Sequence, residues 1–320
     1  MTGLRRIGLL DDWQGVGTAL ADWSALPVGI EVESLRWHEP DEALLAARLA
    51  AYDALVVMRE RTPITASLVA RLPRLKLLVT TGLRNAAVDV GACAARGITV
   101  CGTPSLASPT PELAWGLILG LLRHIPREAA GMQAGGWQTT VGRGIEGKTL
   151  GILGLGRLGQ RMARIGAAFG MRVIAWSQNL TAEAAAAAGA ERVEKMELFA
   201  RADVVTIHLV LSPRTRGLVG AAELARMKTT AVLVNTSRGP ILDEAALLAA
   251  LHAGEIAGAA LDVYDEEPLP AGHPLRAAPN LLLSPHLGYV TEENYRSMYG
   301  GALDCVLGWL KGEPVRVIAA

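Results

Sequence analysis

The sequence predicts an α/β protein made of two doubly wound, parallel-sheet domains. Three observations carry this reading. The chain is 320 residues long, which suggests two domains with room for a sizeable core in each. Short apolar runs alternate with segments of helical spacing from Arg6 almost to the end, the pattern of parallel strands with helices on both faces of a sheet. One stretch, Lys148–Gln178, reads KTLGILGLGRLGQRMARIGAAFGMRVIAWSQ and has the order strand, glycine turn, helix, strand.

That stretch organises the rest. The run Leu150–Leu153 leads into Gly154-Leu-Gly156-Arg-Leu-Gly159. Gly154 permits a tight turn, Gly156 lets the backbone approach a pyrophosphate, and Gly159 lets the helix pack on the strand. Free N–H groups at the helix start, around Arg157 and Leu158, and the partial positive charge there suit phosphates. A Gly-x-Gly-x-x-Gly that follows a strand and opens a helix is a dinucleotide-binding signal. The acidic residue expected about 20 positions on, for the ribose hydroxyls, is missing. Ser177, Gln178 and Asn179 occupy its place. The cofactor is therefore NAD(H) or NADP(H), with the choice open. His208, at the end of a later strand, and Thr236, just after another, are counted with the cofactor residues.

The formal net charge is zero, so no basic surplus points to nucleic acid. No apolar run reaches membrane-span length. The opening MTGLRRIGLLDD is too short an apolar run for a signal peptide and reads as a first strand. Cys93, Cys101 and Cys305 lack metal-ligand spacing, so no metal is expected; reduced buried thiols of a cytoplasmic protein are.

Taken in order, strands are expected at Ile7–Leu10, Ala54–Met58, Leu75–Thr80 and Ile98–Cys101, with helices at Ala43–Ala50, Thr65–Leu72 and Val88–Ala95. The proline- and serine-rich CGTPSLASPTPELAW reads as a crossing between domains. A long helix is expected from Pro111 to Arg127, with Thr110 as N-cap and Pro111 in its first position. Gly131–Gly147, which holds Trp137, reads as an extended arm, and Trp137 either joins a subunit contact or packs on its own domain. Beyond the glycine turn, helices are expected at Ala182–Ala188, Ala221–Met227, Glu244–Ala253 and Glu292–Leu310. Strands are expected at Val204–Leu209, Ala231–Asn235, Ala259–Val263 and Leu281–Ser284.

Ligands of doubly wound sheets sit beyond the carboxyl ends of the strands. Thr236-Ser237-Arg238-Gly239-Pro240 follows one strand, Tyr264–Pro268 the next, and Pro285-His286-Leu287-Gly288 the last. An arginine, a carboxylate and a histidine thus converge on one edge. Arginine's planar fork binds a carboxylate and polarises a neighbouring carbonyl. Histidine delivers a proton near neutral pH, and a nearby carboxylate keeps it protonated and oriented. A dinucleotide supplies the hydride. These types suit carbonyl reduction.

Over nearly its whole length the chain resembles the D-isomer-specific 2-hydroxyacid dehydrogenases. The matching stretches are GKTLGILGLGRLG, VNTSRGP, GAALDVYDEEPLP and LSPHLGYVT, with LRNAAVDVGACAARGITV a weaker match. The resemblance implies catalytic roles for Arg238, which binds the substrate carboxylate and carbonyl, for His286 as acid/base, and for Glu267 as its partner. It puts Asp262 beside the nicotinamide amide. It implies a flavodoxin-like substrate domain, residues 1–101 with 289–320, into which a Rossmann cofactor domain, residues 102–288, is inserted. It also implies a homodimer through the cofactor domain, and substrate contacts from Arg59, Gly82, Leu83 and Arg84 beside Arg238 and His286. The partner is then a small 2-oxo or 2-hydroxy acid.

Three departures stand out. Ser177 replaces the aspartate of NAD-preferring members, Val210 replaces a common proline, and Arg84 replaces a glycine in the carboxylate-binding loop. Arg59 and Arg61, in VVMRERTP, match a substrate-side stretch, where they would suit a dianionic substrate or form an exposed cluster with Glu60. Two other readings stand beside the main one: a phosphite-type dehydrogenase of the same architecture, and a dinucleotide-sensing corepressor-like binding protein.

Overall fold

The computed structural model describes residues 3–319; Met1, Thr2 and Ala320 lie outside the described residues. The chain divides into two compact units. One holds the described residues through Leu106 and those from Thr291 onward; the other is Ala107–Val290.

The first unit carries β1 (Arg6–Leu10), β2 (Glu31–Leu35), α1 (Glu42–Leu49), β3 (Ala54–Val57), α2 (Ala66–Ala70), β4 (Leu77–Thr80), α3 (Val90–Ala95) and β5 (Thr99–Gly102). Among the described residues its sheet has five strands in the order β2-β1-β3-β4-β5, each pair parallel. This is the doubly wound order whose switch point lies between β1 and β3. The inner strands β3 and β4 are buried along their whole length, as apolar runs covered on both faces must be. The sequence pattern does not mark β2, because EVESL has two apolar residues, Val32 and Leu35, in neither an unbroken run nor an alternation: β2 is an edge strand and only Leu35 is buried. Asp41, Thr65 and Asp89 each cap a helix by accepting a first-turn N–H.

The second unit begins with α4 (Pro109–Leu122) and α5 (Ile125–Gln133). The single helix expected here is broken at His124, whose φ is +53°, with Pro126 just beyond. Thr110 is not the N-cap; Pro109 opens the helix, and the Thr110 hydroxyl donates to the Gly288 carbonyl at 2.7 Å. Then come β6 (Thr149–Leu153), α6 (Arg157–Ala168), β7 (Arg172–Trp176), α7 (Ala182–Ala187), β8 (Glu191–Arg192), α8 (Lys195–Arg201) and β9 (Val204–Ile207). After these follow α9 (Ala221–Leu224), β10 (Val232–Asn235), α10 (Glu244–Ala253), β11 (Gly258–Leu261) and β12 (Leu281–Leu283). Among the described residues this sheet is seven-stranded and parallel, in the order β12-β11-β10-β9-β6-β7-β8. Its switch point lies between β6 and β9, the Rossmann arrangement. The two-residue β8 and the charged α8 carry too little apolar periodicity to stand out in sequence. The chain returns to the first unit as α11 (Glu292–Leu310). No described helix is long and apolar enough to cross a membrane.

Candidate active site

The switch point of the second unit is built from the glycine turn. Gly154 has φ +97°, and a Cβ there would lie 2.5 Å from the His208 carbonyl oxygen, so the turn after β6 and the turn after β9 touch through backbone. A Cβ on Gly159 would lie 2.1 Å from the Gly154 carbonyl oxygen, which is the close helix–strand packing the sequence implied. Gly156 differs: among the described residues, nothing beyond the turn itself lies within 4 Å of the position its Cβ would take. It is the N-cap of α6 and offers no side-chain cap, so the first-turn N–H groups face open space.

Other polar groups at this switch point also lack protein partners. His208 Nδ1 and the Thr236 hydroxyl are buried without a hydrogen-bond partner among the described residues, while His208 Nε2 lies 2.9 Å from the Thr206 hydroxyl. Burial pushes His208 down to about 4, which leaves the ring neutral. Ser177 is half-buried after β7, with Gln178 and Asn179 exposed. The fold adds a cation that the sequence did not show. Arg192 on β8 pairs with Ala175 of β7, and its Nε donates to the Leu180 carbonyl at 3.0 Å while Nη2 lies 2.9 Å from Glu194. These groups fit the phosphates and polar edges of a dinucleotide.

The carboxyl ends of β10, β11 and β12 present the second cluster. Asn235 folds the turn after β10: its amide donates to the Arg238 carbonyl at 3.0 Å and its oxygen accepts from Ser237 N at 3.0 Å. Arg238 Nη1 donates to the Ser237 carbonyl at 2.6 Å. Gly239 has no room for a side chain; its Cβ would lie 2.0 Å from the Tyr264 carbonyl carbon. The Arg238 turn is thereby seated on the backbone of the next loop.

In that loop, Glu267 accepts the Tyr264 N–H through Oε1 at 2.9 Å. Its Oε2 lies 2.5 Å from His286 Nδ1. Nε2 is therefore the ring nitrogen that points away from the carboxylate. His286 has φ +54°, a region non-glycine residues seldom adopt. The conformation is held from below. Asp262, fully buried, accepts the Ser284 hydroxyl at 2.6 Å, Leu287 N at 2.7 Å and Gly288 N at 2.8 Å. Burial pushes its carboxyl above the usual carboxylate range against these bonds. Asp262 thus makes protein contacts that fix the His286 loop, which spacing alone did not suggest. Tyr289 lies edge-on to the His286 ring, with centroids 5.4 Å apart. The arrangement can transfer a proton at Nε2 beside an arginine that can grip an anion.

The first unit places its own residues at the ends of β3 and β4. Arg59 has φ +51°, and its N–H donates to the Thr81 hydroxyl at 2.8 Å. Its guanidinium lies against Gly82, where a Cβ would be 2.1 Å from Nη1. Gly82 has φ +105° and donates its N–H to the Thr103 hydroxyl at 2.9 Å. Asn85 laces these turns together, donating to the Arg59 carbonyl at 2.6 Å and the Thr80 hydroxyl at 2.9 Å. Leu83 and Arg84 are exposed. Arg61 is turned inward: its guanidinium stacks on Trp13 at 3.9 Å from the ring centroid and donates to the Asp11 carbonyl at 2.7 Å. Of the two arginines in VVMRERTP, only Arg59 lies against the Gly82 turn. Among the described residues no group of three or more His, Cys, Asp or Glu is placed to hold a metal ion.

Residues 115–288 match the family model for the NAD binding domain of D-isomer specific 2-hydroxyacid dehydrogenases. Glyoxylate reductase of Aeropyrum pernix is 39% identical over 294 residues, 89% of this chain and 87% of that protein. D-3-phosphoglycerate dehydrogenase of Methanocaldococcus jannaschii is 38% identical over 273 residues, 84% of this chain but 52% of that protein, so the chain spans about half its length. The crystal structure of a phosphoglycerate oxidoreductase from Vibrio cholerae superimposes with a TM-score of 0.92 at 38% identity, covering 97% of this chain and all of that one. The chain belongs to the D-isomer specific 2-hydroxyacid dehydrogenase family and is an NAD-dependent oxidoreductase acting on a CH–OH group.

Proposed function

We propose that this enzyme interconverts a small, unphosphorylated 2-oxo acid and the matching D-2-hydroxy acid, with Arg238, Glu267 and His286 as its catalytic residues. The observation that carries the reading is the 2.5 Å contact between Glu267 Oε2 and His286 Nδ1, with Glu267 itself fixed by the Tyr264 N–H. The bound dinucleotide supplies or accepts the hydride. The chain's own residues do the rest. Arg238 grips the substrate carboxylate and polarises the 2-oxo group. His286 Nε2 gives its proton to the oxygen as it gains charge, and takes it back in oxidation. Glu267 holds the imidazole so that Nδ1 carries a proton and Nε2 faces the substrate. Asp262 positions His286 through the Leu287 and Gly288 N–H groups.

Gly154, Gly156, Arg157, Leu158 and Gly159 would hold the pyrophosphate. Ser177, Gln178 and Asn179 would meet the ribose, and His208 and Thr236 the nicotinamide side. Within the first unit, Arg59 and the Gly82–Arg84 turn are the residues suited to an acid. An unphosphorylated substrate is favoured because Arg61 is occupied by Trp13 and Asp11, which removes one of the two cations a phosphorylated acid would use. A homodimer through the second unit is supported by Ile125, Met132 and Trp137, which lie 53%, 61% and 72% exposed on and just beyond α5. Steady-state reduction of glyoxylate, hydroxypyruvate, pyruvate and phosphohydroxypyruvate with NADH and NADPH tests the substrate class. A phosphorylated acid turned over with the highest kcat/KM would contradict it.

A further inference from the structure

The loop that carries Glu267 is held by a second carboxylate, one that the hydride chemistry does not use. Glu244 opens α10, and Asp243 caps that helix by accepting Ala246 N at 3.0 Å. Asp243 N donates to the Val219 carbonyl at 2.8 Å, which fixes the start of the helix. From this base Glu244 reaches the loop after β11, where its Oε1 accepts the Asp265 N–H at 2.9 Å. Its Oε2 lies 3.6 Å from Nε2 of His273. Nδ1 of that ring accepts Leu275 N at 3.3 Å, so Nε2 is the nitrogen that carries a proton towards Glu244. The Glu244 side chain is only 12% exposed, so water competes little for these contacts.

The bond to Asp265 stands next to the one that fixes Glu267. Tyr264 N donates to Glu267 Oε1, and the next amide along the chain, Asp265 N, donates to Glu244 Oε1. Gly239 presses on the same peptide: its Cβ would lie 2.0 Å from the Tyr264 carbonyl carbon and 2.5 Å from Asp265 N. Residues 239–244 thus hold the Tyr264–Asp265 peptide at two points, by close packing and by a hydrogen bond. A shift of that peptide shifts the donor that fixes Glu267, whose Oε2 meets His286 Nδ1 at 2.5 Å. Burial pushes the Glu244 carboxyl above the usual carboxylate range, with the Asp265 and Glu267 charges adding, and the Asp265 N–H and His273 opposing. A carboxyl held against burial and two like charges is the kind of group that gathers at functional sites.

We propose that Glu244 is a positioning residue of the acid/base pair: by accepting the Asp265 N–H it holds the Tyr264 amide in place, and so sets Glu267 against His286. The proposal rests on the assignment of Glu267 and His286 as that pair. Glu244 moves no proton itself; its effect passes through the loop. Proton transfer needs the donor within hydrogen-bond reach of the reacting oxygen. A misplacement of about 1 Å that starts away from the chemistry can lower the rate by about a hundredfold. What matters at position 244 is then reach and an acceptor oxygen, not charge. Glutamine has both. Aspartate keeps the charge but is one methylene shorter, which takes its oxygens out of hydrogen-bond range of Asp265 N.

Glyoxylate reduction by NADH tests this in the whole chain, with kcat, NADH affinity and the solvent deuterium isotope effect on kcat measured for Glu244→Ala, Glu244→Gln and Glu244→Asp beside wild type and Glu267→Gln. Glu244→Ala should lower kcat about tenfold and raise the isotope effect, because proton transfer becomes the slow step. NADH should bind within about threefold of wild type. Glu244→Gln should recover most of kcat, while Glu244→Asp should stay close to Glu244→Ala. If Glu244→Ala does not fold, the glutamine and aspartate variants decide by the same contrast. A Glu244→Ala kcat within about twofold of wild type overturns the proposal, and so does a loss that leaves the isotope effect unchanged. Aspartate matching wild type while glutamine does not would also overturn it, since charge would then be the requirement. The reference variant separates the two levels. A slow Glu267→Gln beside a normal Glu244→Ala removes Glu244 alone, whereas a normal Glu267→Gln removes the acid/base reading and this proposal with it.

Discussion

Glu267 Oε2 meets His286 Nδ1 at 2.5 Å, and the other oxygen of the same carboxylate is held by the Tyr264 N–H at 2.9 Å. The imidazole is thus oriented by a group that is itself fixed by backbone. Glu267→Gln keeps the shape but presents an amide to Nδ1 and removes the carboxylate that orients the ring. We expect kcat for 2-oxo acid reduction to fall about a hundredfold. The reduced cofactor, titrated by fluorescence quenching, should bind within about threefold of wild type, since such a difference is under 1 kcal/mol. A kcat within a factor of two would remove Glu267 from the mechanism.

Gly239 seats the Arg238 turn on the Tyr264 loop, and a methyl there would sit 2.0 Å from the Tyr264 carbonyl carbon. The obstacle is backbone, not a side chain that can swing aside. Gly239→Ala should cost about 3 kcal/mol of stability, seen in denaturant unfolding, and should raise KM for the acid as Arg238 is displaced. An unchanged unfolding midpoint would show that the two loops are not tightly seated.

Ser177 removes the charge that would repel a 2′-phosphate, and Arg192 reaches the Leu180 carbonyl on the same loop. Arg192 is partly neutralised by Glu194 at 2.9 Å, so tolerance of NADPH is expected rather than strict preference. Ser177→Asp should shift the NADH/NADPH ratio of kcat/KM towards NADH by at least about tenfold, or 1.4 kcal/mol. Arg192→Ala should shift it the same way by a smaller factor. A wild type that favours NADH by more than about a hundredfold contradicts this reading.

His38 Nδ1 lies 3.1 Å from Asp11, and that hydrogen bond raises the His38 pKa against burial, with the Asp11 and Glu39 charges adding to it and Arg61 opposing. A pKa raised in the folded state gives stability that is fully present below the unfolded value of about 6.5 and is lost as pH rises through the folded value. The Tm difference between wild type and His38→Gln should therefore be largest near pH 6 and shrink towards pH 9. A difference that stays constant over that range would show that the pair does not contribute through protonation.

Both sheets were legible in sequence because inner parallel strands are unbroken apolar runs. The glycine turn was legible because each glycine answers a steric demand now visible at Gly154 and Gly159. The Glu267–His286 contact was legible because each residue lies in the segment after a strand, at the same edge of the sheet. What escaped was held by tertiary contacts. The edge strand β2 shows no apolar run, and β8 is two residues long, so Arg192 could not be placed near Leu180. The inward turn of Arg61 depends on Trp13, forty-eight positions earlier, and spacing cannot reveal it. The three bonds to Asp262 come from residues more than twenty positions away, so its part in holding His286 emerged only with the fold.

The central claim is that His286, held by Glu267, moves the proton while Arg238 grips the acid. Single-turnover oxidation of NADH by glyoxylate in the stopped flow tests it most directly, comparing wild type with His286→Gln and Arg238→Lys at saturating NADH. Normal NADH binding is expected in both variants, with a single-turnover rate lowered by about a thousandfold in His286→Gln and a lesser loss with a raised glyoxylate KM in Arg238→Lys. A His286→Gln rate within about tenfold of wild type, with NADH bound normally, would contradict it.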